Sequence, residues 1–535
     1  HVRPPHRVSR PSPWWRGGVL YEIYVRSFAD SDGDGVGDLA GVISRLDHLA
    51  WLGIDGIWLS PITRSPNADW GYDVADYTDV DPAYGDLATF DRLVAEAGER
   101  GIAVLVDSVP NHTSDQHPWF VESRSGRDAA RRTWYVWADP SPAGEPPNNW
   151  TSVFGGPAWT LDSASRQFYL HNFLPQQPDL DWWNPEVRDA FDEILRFWLD
   201  RGAAGFRIDV AHGVVKDREL RDNPPATDED PELVRSVGQR HVYSMNRPEG
   251  HDVFRRWRAL VDGYGPSRLL LGETFVLDLA AMASYYGDAS DELHLAFNFP
   301  FALSPFDAGE LSGIVARTEG LIPAADWPVW TASNHDIGRF PTRWCGGDED
   351  AVRCALMLLL TLRGTPVLYY GDEIGMVETA VTGDAVRDPL GKRWPERGRD
   401  SGRTPMQWSG EPGAGFTDPA VESWLPLGDQ RRANVADQRS DPSSVLTLCR
   451  DLIALRRLDP RLVEGAYAER PSPPGTWAWA RGDGVAVAVN LSGSARRVDG
   501  LGGSIALSTR RDRDGERVTG PLELRPWEGV VLSDR

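Results

Sequence analysis

The sequence predicts an α/β protein built on a (β/α)8 barrel, with a domain inserted after the third strand and a C-terminal antiparallel β-sandwich domain. Eight short apolar runs alternate with helical patterns, which is typical of a parallel sheet with crossover helices. Three long polar stretches interrupt the alternation, and after about residue 463 the pattern changes to strands joined by turns. An open doubly wound sheet is the alternative, because alternation alone fits both folds.

The predicted elements follow one another in barrel order. The eight strands are expected at residues 19–28, 54–59, 102–107, 205–210, 268–273, 292–299, 327–333 and 365–370. Between the first two strands, apolar residues recur at helical spacing over 42–49, and Gly53 ends the pattern. Before the fourth strand, Asn184 and Pro185 suit the N-cap and the first position of a helix.

The long interruptions divide the chain into predicted domains. The expected divisions are barrel segments at 1–111 and 182–460, an inserted domain at 112–181, and a C-terminal β domain at 461–535. Two further insertions, at 213–250 and 374–441, follow the fourth and eighth strands. All three insertions leave the C-terminal ends of strands, which form the catalytic face of such barrels.

The composition is that of a globular protein without a strongly basic surface. Of 535 residues, 41% are hydrophobic and 25% charged, and the formal net charge is −23. Nucleic acid and anionic membranes attract clustered lysine and arginine, so neither is an expected partner. No run approaches the roughly 18 apolar residues of a membrane span, and the basic start shows no apolar signal-peptide core. We expect a cytoplasmic monomer or homodimer.

Arg207 and Asp209 lie two residues apart in the fourth predicted strand, so their side chains share one side of it. A guanidinium lowers the pKa of a neighbouring carboxyl group and keeps it ionised, which suits a nucleophile. The alternative is an ion pair with a purely structural role.

Further polar residues stand where other predicted strands end. Asp107, Glu273 and Asp336 occupy such positions, with His112 and His335 close by in the chain. A barrel brings these positions to one mouth. Carboxylates there suit glycoside hydrolysis, in which one attacks the anomeric carbon and a protonated one donates to the leaving oxygen. A divalent-metal site is the alternative, but the nearby arginine would repel the cation.

Seven segments resemble the ordered conserved regions of the alpha-amylase superfamily, glycoside hydrolase family 13. They are GIDGIWLSP at 53–61, DSVPNH at 107–112, QPDLD at 177–181, GFRID at 205–209, GE at 272–273, SNHD at 333–336 and GTPVLYYGDE at 364–373. The resemblance implies a retaining mechanism, with carboxyl groups about 5 to 5.5 Å apart. It assigns Asp209 as nucleophile, Glu273 as general acid/base and Asp336 as transition-state stabiliser.

Two more segments resemble the oligo-1,6-glucosidase and alpha-glucosidase branch of that family, namely DWGYD at 69–73 and GRTPMQW at 402–408. The resemblance implies that an Asp69–Arg403 pair closes the far end of the pocket and makes cleavage exo. The implied sugar-binding set is Asp69, Tyr72, His112, Phe154, Arg207, His335 and Arg403. A salt bridge that only pins a loop is the alternative for the pair.

The stretch DSDGDGVGD at 30–38 has the alternating acidic spacing of an EF-hand-like calcium loop, although Gly41 stands where a bidentate glutamate is expected. The branch has a similar loop, and this resemblance implies one structural Ca2+ or Mg2+ and no organic cofactor. The implied ligands are the side chains of Asp30, Asp32, Asp34 and Asp38 and the carbonyl of Val36. An acidic turn without a metal is the alternative.

The expected substrates are small alpha-glucosides, with alpha-1,4 links favoured over alpha-1,6 links and sucrose as a further candidate. Val210 occurs in enzymes of both preferences, whereas Ala211-His212-Gly213 departs from the Val-Ile-Asn of the 1,6 enzymes. A glucosyltransferase or isomerase and an oligo-1,6-glucosidase are alternatives on the same scaffold. A non-catalytic transporter heavy chain is a remote alternative, since those chains carry a membrane span and lose catalytic carboxylates.

Overall fold

The computed structural model describes residues 13–534 and contains an eight-stranded parallel barrel. Its strands are β1 (Leu20–Ile23), β2 (Gly56–Leu59), β3 (Ala103–Ser108), β4 (Gly205–Ile208), β5 (Leu269–Gly272), β6 (Leu295–Ala296), β7 (Val329–Trp330) and β8 (Thr365–Tyr369). Hydrogen-bonded neighbours follow the order β6-β5-β4-β3-β2-β1-β8-β7. This sequential order confirms the barrel over a doubly wound sheet, whose strand order reverses at a switch point. The start of the chain, on which the signal-peptide prediction depends, lies mostly outside the described residues.

Several barrel strands are shorter than the predicted runs. β6 and β7 contain two residues each, and β1 gives way to a 3-10 turn at Val25–Ser27. After β6, the Asn298 side chain accepts from the Phe301 N–H and a proline occupies the first helical turn, so the chain starts a helix. Apolar composition alone could not mark these ends, because a buried run can be strand, turn or helix.

The helices between the strands begin and end largely as the capping residues predict. They are α1 (Leu39–Ser44), α2 (Leu46–Leu52), α3 (Leu87–Glu99), α4 (Pro118–Arg124), α5 (Pro185–Asp200), α6 (Glu232–Val237), α7 (His251–Asp262), α8 (Leu279–Ser284), α9 (Phe299–Leu303), α10 (Ala308–Leu321), α11 (Phe340–Arg343), α12 (Glu349–Thr361), α13 (Pro389–Arg393), α14 (Val435–Ser440), α15 (Val445–Leu458) and α16 (Pro460–Glu464). Asn184 caps α5, and Gly53 ends α2 at a φ of 99°. The first predicted helix is divided into α1 and α2 at Arg45.

The segment between β3 and α5 contains α4 and a small antiparallel sheet. Its strands are Trp137–Ala138, Gln167–Leu170 and Trp159–Asp162, with the second in the middle. Trp150, Trp159 and Phe168 pack in a separate apolar cluster under this sheet. The segment therefore has its own small core, beside the strand ends that carry the predicted site.

The end of the chain forms two antiparallel sheets. The strands are β9 (Tyr467–Arg470), β10 (Thr476–Arg481), β11 (Val485–Asn490), β12 (Arg496–Val498), β13 (Gly503–Ser508), β14 (Arg517–Val518), β15 (Leu522–Leu524) and β16 (Glu528–Ser533). One sheet has the order β9-β10-β11-β16-β13-β14, and β12 pairs with β15. The antiparallel C-terminal domain is confirmed, while the exact divisions at residues 111, 181 and 460 stay a prediction. Among the described helices, none has the length and apolar character needed to cross a membrane.

Candidate active site

One fully buried guanidinium joins three of the predicted carboxylates. Arg207 Nη1 lies 2.6 Å from Asp209 Oδ1 and 3.1 Å from Asp107 Oδ2, and its Nη2 lies 2.8 Å from Glu273 Oε2. The guanidinium carbon also lies 4.7 Å from the centre of the Trp58 ring. Asp107 stands opposite Arg207 in the β3–β4 register, and Asp209 and Glu273 each stand one residue beyond a strand. The barrel therefore brings these side chains together, as the strand-end argument predicted.

A strained turn after β4 places Asp209 beside Glu273. Val210 has φ 44° and ψ 45°, a left-handed conformation that is rare for a β-branched residue. Its N–H donates to Glu273 Oε2 at 2.9 Å, and the Ala211 N–H donates to the Glu273 carbonyl oxygen at 3.0 Å. These two hydrogen bonds fix the turn against the acid/base candidate and hold both carboxylates at one guanidinium.

The expected effect of Arg207 on Asp209 is only part of the electrostatics. Burial raises the pKa of Asp209 well above its ordinary value, Arg207 opposes that rise, and the Glu273 and Asp107 carboxylates add to it. The prediction of a lowered pKa was therefore wrong, because it considered one guanidinium and omitted burial and neighbouring negative charges. Crowded carboxyl groups of this kind favour retention of a proton among them, which an acid/base mechanism needs.

His335 lies between two carboxylates. Its Nδ1 is 2.5 Å from Glu22 Oε1, and its Nε2 is 3.2 Å from Asp336 Oδ2 and 2.7 Å from the Tyr72 hydroxyl. Burial lowers the pKa of His335, but Asp336 and Glu22 more than offset this and raise the pKa to about 9. Burial raises the pKa of Asp336, yet His335 and nearby arginines hold it well below its ordinary value. At neutral pH the pair is an imidazolium beside a carboxylate.

A second guanidinium, from Arg399, organises the other end of the site. Its Nη2 lies 2.8 Å from Asp69 Oδ1 and from Asp388 Oδ1, and its Nη1 lies 2.9 Å from Asp336 Oδ1. Arg403 instead contacts Asp336 Oδ1 at 3.0 Å. The predicted Asp69–Arg403 pair was therefore wrong: within the described chain, the ion pair of Asp69 is with Arg399. The two arginines are four residues apart, and sequence alone offered two equivalent charges.

The remaining predicted sugar-binding side chains contact members of the site or one another. His112 Nε2 lies 3.0 Å from the Tyr72 carbonyl oxygen, and burial lowers the pKa of His112 to about 4, so the ring is neutral. The Tyr72 ring stacks on His335 with centroids 5.3 Å apart. The Phe154 ring centre lies 5.4 Å from the Arg399 guanidinium carbon. Tyr72, His112 and Phe154 thus join the same constellation.

Sequence reasoning missed four contributors to this site. Glu22, Trp58 and Arg399 contact its predicted members, and Asp388 contacts Arg399, but none of the four received a role. A carboxylate within the apolar run of β1 was the available signal for Glu22, and the Gly398-Arg399-Asp400 segment just before GRTPMQW was the signal for Arg399. Neither signal indicates which residue Glu22 or Arg399 contacts, because His335 and Asp69 lie in distant parts of the chain.

The acidic loop after β1 gathers three of its four aspartates. Carboxylate oxygens of Asp30, Asp32 and Asp38 lie within 4.8 Å of one another. Oxygens bound to one Ca2+ at about 2.3 to 2.6 Å are separated by at most about 5 Å, so this donor set fits a hard cation. Asp34 stands outside the group and accepts from the Val36 N–H at 2.8 Å. The roles of Asp34 and the Val36 carbonyl as ligands stay predictions.

Comparisons with known proteins agree with this geometry. A model described as "Alpha amylase, catalytic domain" matches residues 22–465. A probable alpha-glucosidase of Rhizobium meliloti (strain 1021) is 44% identical over 466 residues, which cover 84% of each chain. An oligo-1,6-glucosidase of Heyndrickxia coagulans is 36% identical over 90% of this chain and 92% of its own. The crystal structure of an alpha-glucosyl transfer enzyme, XgtA, matches with a TM-score of 0.92 at 40% identity, over 98% of this chain and all of its own.

Proposed function

We propose that this chain, which belongs to the alpha-amylase family and is a glycoside hydrolase, is an exo-acting, retaining alpha-glucosidase. Its proposed substrates are short alpha-glucosides, with the alpha-1,4 links of maltose and maltooligosaccharides favoured. The observation that carries the proposal is the pair of guanidinium clusters, which the Tyr72 hydroxyl and His335 connect. Arg207 holds Asp209 and Glu273, and Arg399 joins Asp69 to Asp336.

The proposed reaction has two steps. Asp209 attacks the anomeric carbon while Glu273 protonates the leaving oxygen, so the glycosidic bond breaks as a glucosyl ester forms. Glu273 then removes a proton from water, which attacks the same carbon and releases glucose with its configuration retained. Asp336, held ionised by His335, supplies negative charge to the oxocarbenium-like transition state.

The exo preference is proposed from the closed end of the pocket. Asp69 is buried, and Arg399 links it to Asp336 and Asp388. Such a network can bind the hydroxyl groups of a terminal glucose through charged donors and acceptors. It also occupies the space that a further sugar unit would need beyond that glucose.

Product analysis tests the proposal directly. Incubation with maltose, maltotriose, isomaltose, sucrose and trehalose should release glucose from the non-reducing end, with maltose preferred to isomaltose. NMR of the first product should show the alpha anomer before mutarotation. A beta anomer would refute the retaining mechanism, and initial release of internal fragments from maltooligosaccharides would refute exo action.

Glucosyl transfer is a second candidate, favoured by the similarity to the alpha-glucosyl transfer enzyme. A sugar hydroxyl would then replace water in the second step. Chromatography at rising maltose concentration separates the two outcomes, because transfer yields new oligosaccharides whereas hydrolysis yields glucose. An oligo-1,6-glucosidase would instead prefer isomaltose in the substrate panel.

The predictions of a metal site, a cellular location and an oligomeric state are also part of this proposal. A structural Ca2+ or Mg2+ would be held by Asp30, Asp32 and Asp38, with no part in the bond-breaking steps. Cytoplasmic location and a monomeric or homodimeric state are likewise proposed. Size-exclusion chromatography with light scattering measures the assembly state.

A further inference from the structure

Glu22 occupies an unexpected position in the first barrel strand. It is fully buried among apolar neighbours in β1, and its Oε1 lies 2.5 Å from His335 Nδ1. Its other oxygen, Oε2, has no hydrogen-bond partner within residues 13–534. A buried carboxylate with an unsatisfied oxygen destabilises a fold, so a chain that carries one gains something else from it.

The contacts of His335 show what this carboxylate changes. A neutral imidazole carries one N–H, whereas both nitrogens of His335 face a carboxylate oxygen, Glu22 on one side and Asp336 on the other. When both carboxyl groups are ionised, both contacts are satisfied only if the ring carries two protons. Burial raises the pKa of Glu22, and His335 and Arg207 oppose that rise and favour the ionised form. The contact of Nδ1 with Glu22 also fixes the ring orientation, so that Nε2 faces Asp336 and the Tyr72 hydroxyl.

We propose that Glu22 is a positioning residue of this active site, whose carboxylate keeps His335 doubly protonated and aims its Nε2–H at Asp336 and the bound sugar. The inference rests on the proposed function and deepens it. Glu22 touches no reacting atom; it acts through His335, which in turn holds the carboxylate proposed to stabilise the transition state.

Several titratable groups on neighbouring elements affect the protonation of His335. Those facing His335 or Glu22 are Asp336 on the histidine's own segment, Asp107 on β3, Arg207 on β4, Tyr72 on the loop after β2, Tyr24 beyond β1, Tyr369 and Tyr370 at the end of β8, and Arg403, which donates to the His335 carbonyl oxygen. The two arginines oppose a proton on the ring and the two aspartates favour it. Glu22 is the group that faces Nδ1, so its charge decides whether that nitrogen keeps its proton.

The test substitutes Glu22→Gln, which keeps the side-chain volume and removes the charge. We expect kcat/KM on maltose to fall roughly 10- to 100-fold, the range for loss of a group that orients a functional histidine. In 15N-histidine-labelled protein at pH 7, His335 should change from the imidazolium to the neutral pattern, with its signals identified through His335→Gln. Glu22→Asp, which restores the charge on a shorter side chain, should recover part of the lost kcat/KM and part of the imidazolium signal of His335.

Glu373→Gln is the matched control. Glu373 is as buried as Glu22 and accepts a hydrogen bond from the Tyr21 hydroxyl at 2.8 Å. Tyr21 directly precedes Glu22 in the chain, so Glu373 is a carboxylate that contacts the same strand but not His335. It should leave the His335 signals unchanged, even if stability falls.

Two results would overturn the inference. One is a neutral His335 in the wild-type protein at pH 7, which can be measured even if Glu22→Gln fails to fold. The other is a Glu22→Gln protein in which His335 stays an imidazolium, whatever its activity. A wild-type chain that cleaves no alpha-glucoside would refute the proposed function instead, while the same spectra would still report whether Glu22 controls the ring.

Discussion

The two arginine clusters of the site are built from different parts of the chain. The cluster around Arg207 takes its carboxylates from the ends of β3, β4 and β5, at most one residue beyond each strand. The cluster around Arg399 takes them from Asp69, Asp336 and Asp388, which lie on three separate loops. The first arrangement follows from sheet register, and the second from how long loops pack against one another. That difference explains why the sequence predicted the first cluster correctly and misassigned the arginine of the second.

Burial and charge also differ between the clusters. The Arg207 side chain is fully buried, whereas that of Arg399 is 13% exposed. Burial raises the pKa of Asp209, while Arg399 outweighs burial at Asp388 and lowers that pKa to about 2. The strand-end cluster therefore favours keeping a proton. The loop cluster is mixed, because burial outweighs Arg399 at Asp69 and raises the pKa of that carboxyl group.

The largest expected effect is on the strand-end cluster. Asp209→Asn keeps the hydrogen bond to Arg207 but removes the nucleophile, so kcat on maltose should fall at least about 10,000-fold. Stability should be kept, because one negative charge leaves a crowded group. Steady-state rates and thermal unfolding measure both. Asp128→Asn, on the exposed surface, is the control and should be silent. Activity close to wild type in Asp209→Asn, with contaminating enzyme excluded, would remove this residue from the mechanism.

Substitutions in the loop cluster should weaken terminal-glucose binding. Asp69→Asn and Arg399→Gln should each lower kcat/KM on maltose roughly 100-fold. Arg399→Gln removes the ion-pair partner of the buried Asp69, and Asp69→Asn removes a charged acceptor for the sugar hydroxyl groups. A double-mutant cycle should give about 1 to 3 kcal/mol of coupling between them.

The same cycle with Arg403→Gln distinguishes the observed pair from the one expected from sequence. Arg403 contacts Asp336 and acts on Asp69 only at longer range, so its coupling to Asp69 should be weaker than that of Arg399. Stronger coupling of Asp69 to Arg403 than to Arg399 would contradict the Asp69–Arg399 ion pair.

The pH dependence of stability should report the charge on His335. Its pKa is raised from an ordinary 6.5 to about 9. A raised pKa in the folded state stabilises fully below pH 6.5, and that stabilisation is lost as pH rises towards 9. The difference corresponds to about 3 kcal/mol. The stability advantage of wild type over His335→Gln in urea unfolding should therefore shrink between pH 6.5 and 9. A constant difference would mean that His335 gains no proton on folding.

The smallest effect concerns the acidic loop after β1. Each of the two site clusters is centred on an arginine side chain, whereas in the described part of the chain the carboxylates of this loop have no arginine among them. Within residues 13–534, the hydrogen bonds of Asp30, Asp32 and Asp38 come from backbone N–H groups and hydroxyl groups rather than from cationic side chains. Ca2+ should therefore raise the melting temperature by a few degrees, since saturation at 100 times Kd is worth about 2.7 kcal/mol. Asp32→Asn should abolish this shift. Asp34→Asn, outside the three-carboxylate group, should reduce it less. Equal melting temperatures with Ca2+ and with a chelator would favour an acidic turn without a metal.

The sequence alone determined the barrel, the approximate location of its strands and the strand-end cluster, including Asp107, Arg207, Asp209 and Glu273. These features depend on local information, because a strand's period fixes which side chains share a face and a parallel sheet brings strand ends together. Caps such as Asn184 and Gly53 are local for the same reason.

Only the tertiary structure decided which arginine meets Asp69, how burial acts on Asp209, and that Glu22 faces His335. Asp69 and Arg399 are 330 residues apart in the chain, and Glu22 and His335 are 313 apart. Contacts over such separations depend on how loops and strands pack in three dimensions, and a pKa depends on every charge and every buried surface around the group. Neither quantity is encoded in a short motif.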